Sequence, residues 1–180
     1  MTRKPEGPLR RGWTTGACAT AATKAAFTAL ITGEFPDPVE ILLPKGERPS
    51  FALARRDRGE DWATAGIIKD AGDDPDVTHL ALILSTVRPL HGGGGVQFKA
   101  GPGVGTITKA GLPIEVGEPA INPVPRRMMA EVIEEVAIAY GAEPDVEIEI
   151  AVPGGEELAK FREQCKECQR RQSKNHQPDA

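Results

Sequence analysis

The sequence predicts an α+β fold: a mixed sheet packed against an alanine-rich helix and an amphipathic helix, in a single domain followed by a disordered tail. Three observations carry that prediction. Residues 14–30 read TTGACATAATKAAFTAL, with Ala17, Ala21, Ala25 and Ala29 at four-residue steps, and alanine is the residue most favourable to a helix. Residues 129–140 place Met129, Val132, Ile133, Val136 and Tyr140 at three-and-four spacing, with Glu131, Glu134 and Glu135 mostly on the other face, the pattern of a helix lying on a sheet. Trp62 to Lys69, Leu80 to Arg88 and Val146 to Val152 are apolar or alternating runs of strand length.

The bulk numbers bound what such a domain does. A chain of 180 residues is long enough for one sizeable core and short for two full domains. The net charge of −4 argues against nucleic acid as the main partner, which calls for a basic surface. Aromatic residues make up 4% of the chain while Gly and Pro number 20 and 16, so the core is expected to consist of small aliphatic side chains joined by many turns. No apolar run approaches the ~20 residues of a membrane span, and MTRKPEGPLRRG at the amino terminus is basic without the apolar segment of a leader. A cytoplasmic location is expected. Three cysteines do not make a disulfide framework.

Taken in order, residues 1–12 carry Pro5 and Pro8 without periodicity and predict a loose basic arm. The alanine helix follows, capped by Thr14 or Thr15 and ended near Gly33. Its Thr-Gly start reads either as an ordinary cap or as hydroxyls and N–H groups offered to an anion. Cys18 lies on its first turn, where a thiolate is electrostatically favoured but a small buried thiol is the more common case. Val39 to Pro44 and Phe51 to Arg55 read as a hairpin turning at Gly46, Asp57 to Asp61 as a charged turn, and Trp62 to Lys69 as a strand.

Asp70, Asp73, Asp74 and Asp76 then place four carboxylates within seven residues. Their repulsion requires relief from a cation, a helix start or water. The spacing is not that of a calcium loop, so no metal is assigned, and turn formation, capping or hydrogen bonding to a ligand remain as alternatives. His79 is either a structural histidine or a proton donor at the entrance of strand Leu80 to Arg88. His91 and four successive glycines read as a hinge or loose loop, with strands expected at Val96 to Lys99 and Val104 to Thr108.

Gly101 to Met128, GPGVGTITKAGLPIEVGEPAINPVPRRM, is the most unusual stretch. It reads either as a long connecting loop or as a wall that something flat or anionic approaches. Lys109, Arg126 and Arg127 supply positive charge, and Asn122 before Pro123 reads as a helix cap whose free N–H groups face an anion.

Four blocks together, RRGWTTGACATAATKAA, IIKDAGDDPDVTH, PGVGTITKAGL and VGEPAINPVPRRM, resemble, in the same order, the CbiD family, the cobalt-precorrin-5B (C-1)-methyltransferases of anaerobic cobalamin synthesis. The resemblance spans about Leu9 to Lys160. It implies an enzyme that moves a methyl group from S-adenosylmethionine to ring carbon C-1 of a cobalt-bearing tetrapyrrole. It also implies residues 13–160 as the amino-terminal, substrate-binding domain. Lys109, Arg126 and Arg127 would pair with carboxylates of the ring, and Thr14, Thr15, Asp70, Asp74, Glu118 and Asn122 would be polar wall groups; no general base is evident. Residues 161–180 do not match, and the family's further domain is the one associated with the methyl donor. The alternative reading is therefore a truncated or split form that binds the tetrapyrrole, a complementing carboxy-terminal chain or a copy of itself without turnover. Cys165, Cys168 and His176 have a loose zinc-like spacing at that tail. A phosphotransfer or metal enzyme is disfavoured by the lack of a Gly-Lys-Ser/Thr loop.

Overall fold

The structure, a computed structural model, describes residues 10–74, 76–109 and 114–160. Residues 1–9 of the expected arm and the expected tail with Cys165, Cys168 and His176 lie outside the described residues.

Helix α1 (Thr15–Thr32) is capped by the Thr14 hydroxyl, which accepts from Ala17 N–H, and ends at Gly33, whose positive φ closes the last turn. Strands β1 (Val39–Glu40) and β2 (Ser50–Phe51) form a small antiparallel pair. Strands β3 (Arg55–Arg58), β4 (Ala63–Ile68), β5 (Leu82–Pro89), β6 (Val96–Ala100) and β7 (Val146–Ala151) form the main sheet, in the order β3-β4-β5-β7-β6. Helix α2 (Pro123–Tyr140) connects β6 to β7. All pairings in the main sheet are antiparallel except β6 with β7. That parallel pair requires a crossover, and α2 supplies it.

The layers follow from side-chain size. Ala63, Ala65 and Ile67 of β4 and Ile83, Ser85 and Val87 of β5 share one buried face, and α1 packs on those two strands and on α2. Because α1 meets neighbours on several sides, its alanines and threonines are buried almost all round; a side chain larger than alanine at most of these positions would hold the layers apart. The threonine hydroxyls are satisfied locally, Thr20 and Thr28 on carbonyls four residues back, while Thr23 also meets the Ser85 hydroxyl at 2.8 Å. Helix α2 buries Met129, Val132, Ile133 and Val136 of the stripe expected from its spacing, whereas Tyr140, on its last turn, is exposed.

Several expectations are corrected. The hairpin before β3 is shorter than its apolar run, and Arg55–Arg58 is a strand rather than part of a charged turn; all four of its residues are exposed. At the edge of a sheet, charged side chains are tolerated because they point to water. Val104 to Thr108 is not a strand: only Thr106 bridges to Pro119, while Ile107 N–H donates to the Glu118 carbonyl and the Ile107 carbonyl accepts from Gly117 N–H. The glycine run is not a loose hinge, since Gly93 N–H donates to the Asp145 carboxylate at 2.7 Å and Gly95 carbonyl accepts from Val146. Residues 10–12, expected in the arm, are fixed against the acidic loop.

Candidate functional site

The acidic loop after β4 relieves its own repulsion. Arg10 forks onto Asp70 at 2.6 and 2.8 Å, and Arg10 N–H donates to Asp73. The Arg10 guanidinium, with Gly72 N–H, holds the Asp70 carboxyl below its ordinary value. Arg11 bridges to Gly72, and Trp13 N–H donates to the Asp70 carbonyl. Gly12 permits this approach: a β-carbon there would run into the carbonyl group of Ala71. The segment before α1 is thus an added strip along the loop.

On the other side of the loop stands a residue that was not anticipated. Lys69 continues the inward row of Ala63, Ala65 and Ile67 and is only 1% exposed. Its ammonium bonds to the Asp76 carboxylate and, at 2.6 Å, to the Thr78 hydroxyl. Asp76 also accepts from Thr78 N–H at 2.8 Å and from the Thr78 hydroxyl at 2.7 Å. Burial pushes the Asp76 carboxyl up, but hydrogen bonds from Lys69 and Thr78 outweigh it and hold it at about 2. Thr78 meets the Thr15 hydroxyl at 3.4 Å, which ties the loop to the start of α1.

Three segments distant in sequence line a cavity of about 900 Å³: Arg10 to Gly16, the acidic loop at Ala71, Asp73, Asp74 and Asp76, and the start of α2 at Asn122, Val124, Pro125 and Met128. The starts of the two helices meet here, where a β-carbon on Gly16 would stand 2.6 Å from Pro125 Cγ. Of the residues expected in a site, Thr14, Thr15, Asp74 and Asn122 line this cavity. Thr14 is used as a cap, whereas Asp74 and Asn122 extend side chains that bond to no described residue.

The remaining expected residues stand elsewhere. Asp70 is held by Arg10 behind the wall. Arg126 is occupied within the fold: it donates to the carbonyls of Ile121 and Pro119 at 3.0 and 2.8 Å, pairs with Glu118 at 3.0 Å and lies 5.1 Å from the Phe98 ring centroid. Glu118 is therefore a partner of Arg126 and not a cavity group. Arg127 is exposed, 3.7 Å from Glu131, and lines a separate groove with Leu42 and Leu43. Lys109 is exposed and off the cavity wall.

The reading of α2 as an anion cradle is corrected by its own sequence. Pro123 and Pro125 have no N–H, so Val124 carries the only backbone donor among the first three positions, and Asn122 makes no side-chain cap. The α1 start is better provided, because the Thr15 and Gly16 N–H groups bond to no described residue. Two further alternatives resolve. Cys18 is buried, and burial pushes its thiol up to about 11, which favours the neutral thiol over the thiolate. His79 accepts Ala71 N–H on Nδ1 and thereby serves the loop. No group of metal-ligating side chains occurs among the described residues, and no helix there is long and apolar enough to cross a membrane.

Proteins similar to this chain over most of its length are known. Cobalt-precorrin-5B C(1)-methyltransferase of Brucella anthropi is 68% identical over 152 residues, covering 84% of this chain and 41% of its own length. The protein of the same name from Brucella ovis is 65% identical over 158 residues, covering 87% and 43%. The chain thus spans about two-fifths of the length of the curated relatives it matches. The crystal structure of the cobalamin biosynthesis protein CbiD from Archaeoglobus fulgidus superposes with a TM-score of 0.60 at 27% identity, over 86% of this chain and 48% of that one. The CbiD family model matches residues 2–162, a range that holds the strip, the acidic loop and both helix starts, and the chain belongs to the CbiD family.

Proposed function

We propose that this chain takes part in methylating ring carbon C-1 of cobalt-precorrin-5B with S-adenosylmethionine as donor, and that its cavity holds one of the two reactants. The observation that carries the proposal is the convergence of residues from the strip before α1, from the acidic loop and from the start of α2 on one concave wall. A core needs no such meeting of polar segments, and pockets with a few convergent polar groups are where ligands bind. Curated relatives at 65–68% identity bearing that enzyme name support the reaction.

In the proposed reaction the sulfonium S–CH₃ bond breaks, a C–C bond forms at C-1 with electrons from the macrocycle, and the neutral thioether departs. The residues of this chain bind and orient. The Thr15 and Gly16 N–H groups at the start of α1 suit a carboxylate, while Asp74 and Asn122 suit donors or positive charge. The nearby arginines contribute shape more than free charge, because Arg10 and Arg11 are already paired with Asp70 and Glu47. Holding methyl and acceptor carbon in line supplies several kcal/mol of barrier lowering, ~7–11 in well-oriented intramolecular cases. A cytoplasmic location fits this chemistry.

The test is methyl transfer from labelled S-adenosylmethionine to cobalt-precorrin-5B by this chain, with calorimetric titration of each reactant. Asp74→Asn and Asn122→Ala remove side chains that bond to no described residue, so each should weaken binding of the cavity's ligand with little change in melting temperature. Binding of one reactant without turnover would leave the chain as a recognition module. If neither reactant binds, or both substitutions leave affinity unchanged, the cavity is not the site.

A further inference from the structure

Lys69 has no role in the reading above, yet it is the largest fully buried charged group described in the fold. An ammonium at the end of an otherwise apolar row is a poor choice for stability alone, because a buried ion pair gives little or nothing over a well-packed apolar side chain of similar volume. Its surroundings add to the cost. The first turn of α1 lies beside it, near enough for Cys18 to sense its charge, and a helix start carries partial positive charge of the same sign. What the ammonium does hold is specific: Asp76 and Thr78, two residues apart, on one cation. Asp76 is part of the cavity wall, whereas Lys69 and Thr78 are not. Thr78 in turn meets Thr15, at the mouth of α1 and on that wall.

We infer that Lys69 is a positioning residue of the cavity: from beneath, its ammonium fixes Asp76 and Thr78, and through Thr78 sets the acidic loop against the first turn of α1. The geometry gives each partner one place. Asp76 Oδ1 is taken by the amide and hydroxyl of Thr78 and Oδ2 by Lys69, so the carboxylate has no freedom to rotate into the cavity and the loop has no freedom to lift. Without the ammonium, the Asp76 carboxylate loses the bond that fixes it toward Thr78 and can turn away from the Thr78 amide, and the pair keeps only the nearby backbone bonds of Leu80 and Ala81 to Lys69 as its link to β4.

This inference rests on the proposed function only for its consequence in binding; the attachment itself is measured independently. Lys69→Met preserves much of the buried stem. In the full chain it should leave the amides of Ser85 and Thr86, in the sheet centre, protected as before. Exchange at the Thr78 amide should rise at least ten-fold. Affinity for whichever of S-adenosylmethionine or cobalt-precorrin-5B binds the parent chain should fall at least ten-fold. Thr78→Val, which removes the hydroxyl shared by Lys69, Asp76 and Thr15, should act in the same direction on exchange and affinity, and it decides the matter if Lys69→Met fails to fold. Unchanged Thr78 exchange in folded Lys69→Met overturns the inference whatever the ligand is. So does raised exchange with undiminished affinity, or a Thr78→Val chain that binds as the parent does. Raised exchange in a chain whose parent binds neither reactant sustains the attachment and refutes the proposed function instead.

Discussion

Gly16→Ala tests whether contact between the two helix starts shapes the cavity. Gly16 is the second residue of α1, and in open space alanine would stabilise that position by about 0.5–1 kcal/mol. Here the added carbon would lie 2.6 Å from Pro125 Cγ and 3.2 Å from its Cβ. Ordinary carbon contacts begin near 3.5 Å, so the helix starts must part by about 1 Å. The obstacle is a proline ring in the first turn of α2 and not the free end of a flexible chain. Overpacking of this kind costs about 1–3 kcal/mol, which exceeds the gain in helix propensity.

The net expectation is destabilisation by about 1–2 kcal/mol, or a fall in melting temperature of roughly 2–8 °C for a domain of this size. Circular dichroism at 222 nm follows the helices, and tryptophan fluorescence follows Trp13 in the cavity wall together with Trp62. A cycle with Pro125→Ala isolates the contact, because Gly16→Ala should be less harmful once the ring is absent. An unchanged or raised melting temperature for Gly16→Ala, or a cycle showing no coupling, would mean that the helix starts are not held in contact and that the cavity is wider than described.

Three further predictions follow from single groups. The folded Asp76 carboxyl titrates at about 2 against an ordinary 3.8, so its contribution is complete above pH ~4 and disappears as pH falls through ~2; after allowance for its partial exposure it amounts to about 1 kcal/mol. Urea midpoints at pH 5 and pH 2.5 should differ less in Lys69→Met than in the parent chain, and an equal difference would refute the assignment. In a Cys165→Ser/Cys168→Ser background, Cys18 should resist thiol reagents at pH 8 until denaturant is added, since burial holds its thiol near 11; labelling at the rate of a free thiol would show that α1 opens. Arg126→Ala should cost about 2 kcal/mol in chemical denaturation by stranding the Ile121 and Pro119 carbonyls, and lysine, lacking the planar fork, should restore little of it. Unchanged denaturation would return Arg126 to the pool of ligand-binding cations.

What could be read from the chain depended on how local the determining physics was. Both long helices, their glycine ends and the β5 and β7 strands announce themselves because periodicity and capping act within one element. Arg55–Arg58 gave no such sign: it has no apolar face, and only its pairing with β4 makes it a strand. The same distinction separates the site residues. Thr14, Thr15, Asp74 and Asn122 stand in turns and caps that mark themselves, and all four reach the cavity. Arg126 was assigned to a ligand because its charge is visible in sequence, while Phe98 and the carbonyls it satisfies are contributed by distant or irregular chain. Lys69 carried a usable signal, since counting by twos from Ala63 puts it on the buried face, but a lysine at a strand end is ordinarily read as leaving the core.

The charges explain why this region is a cavity and not simply a packed joint. Two helix starts bring partial positive charge to one place, and Arg10, Arg11 and Lys69 bring three full charges more. Left alone, these would repel one another and draw in water. Three of the four aspartates of one loop answer two of them, Asp70 and Asp73 toward Arg10 and Asp76 toward Lys69, and Glu47 answers Arg11. Asp74 is the member of the group whose side chain bonds to no described residue, and it lines the cavity together with Asn122 and the first residues of α1, whose Thr15 and Gly16 N–H groups are unpaired among the described residues. Cations and anions in and behind the wall are therefore matched to one another, while a carboxylate, an amide and two N–H groups on the wall bond to no described residue. A surface arranged in that way favours a ligand carrying both signs of charge over a simple polyanion, which makes the separate titrations of donor and macrocycle the measurement that distinguishes the cavity's occupant.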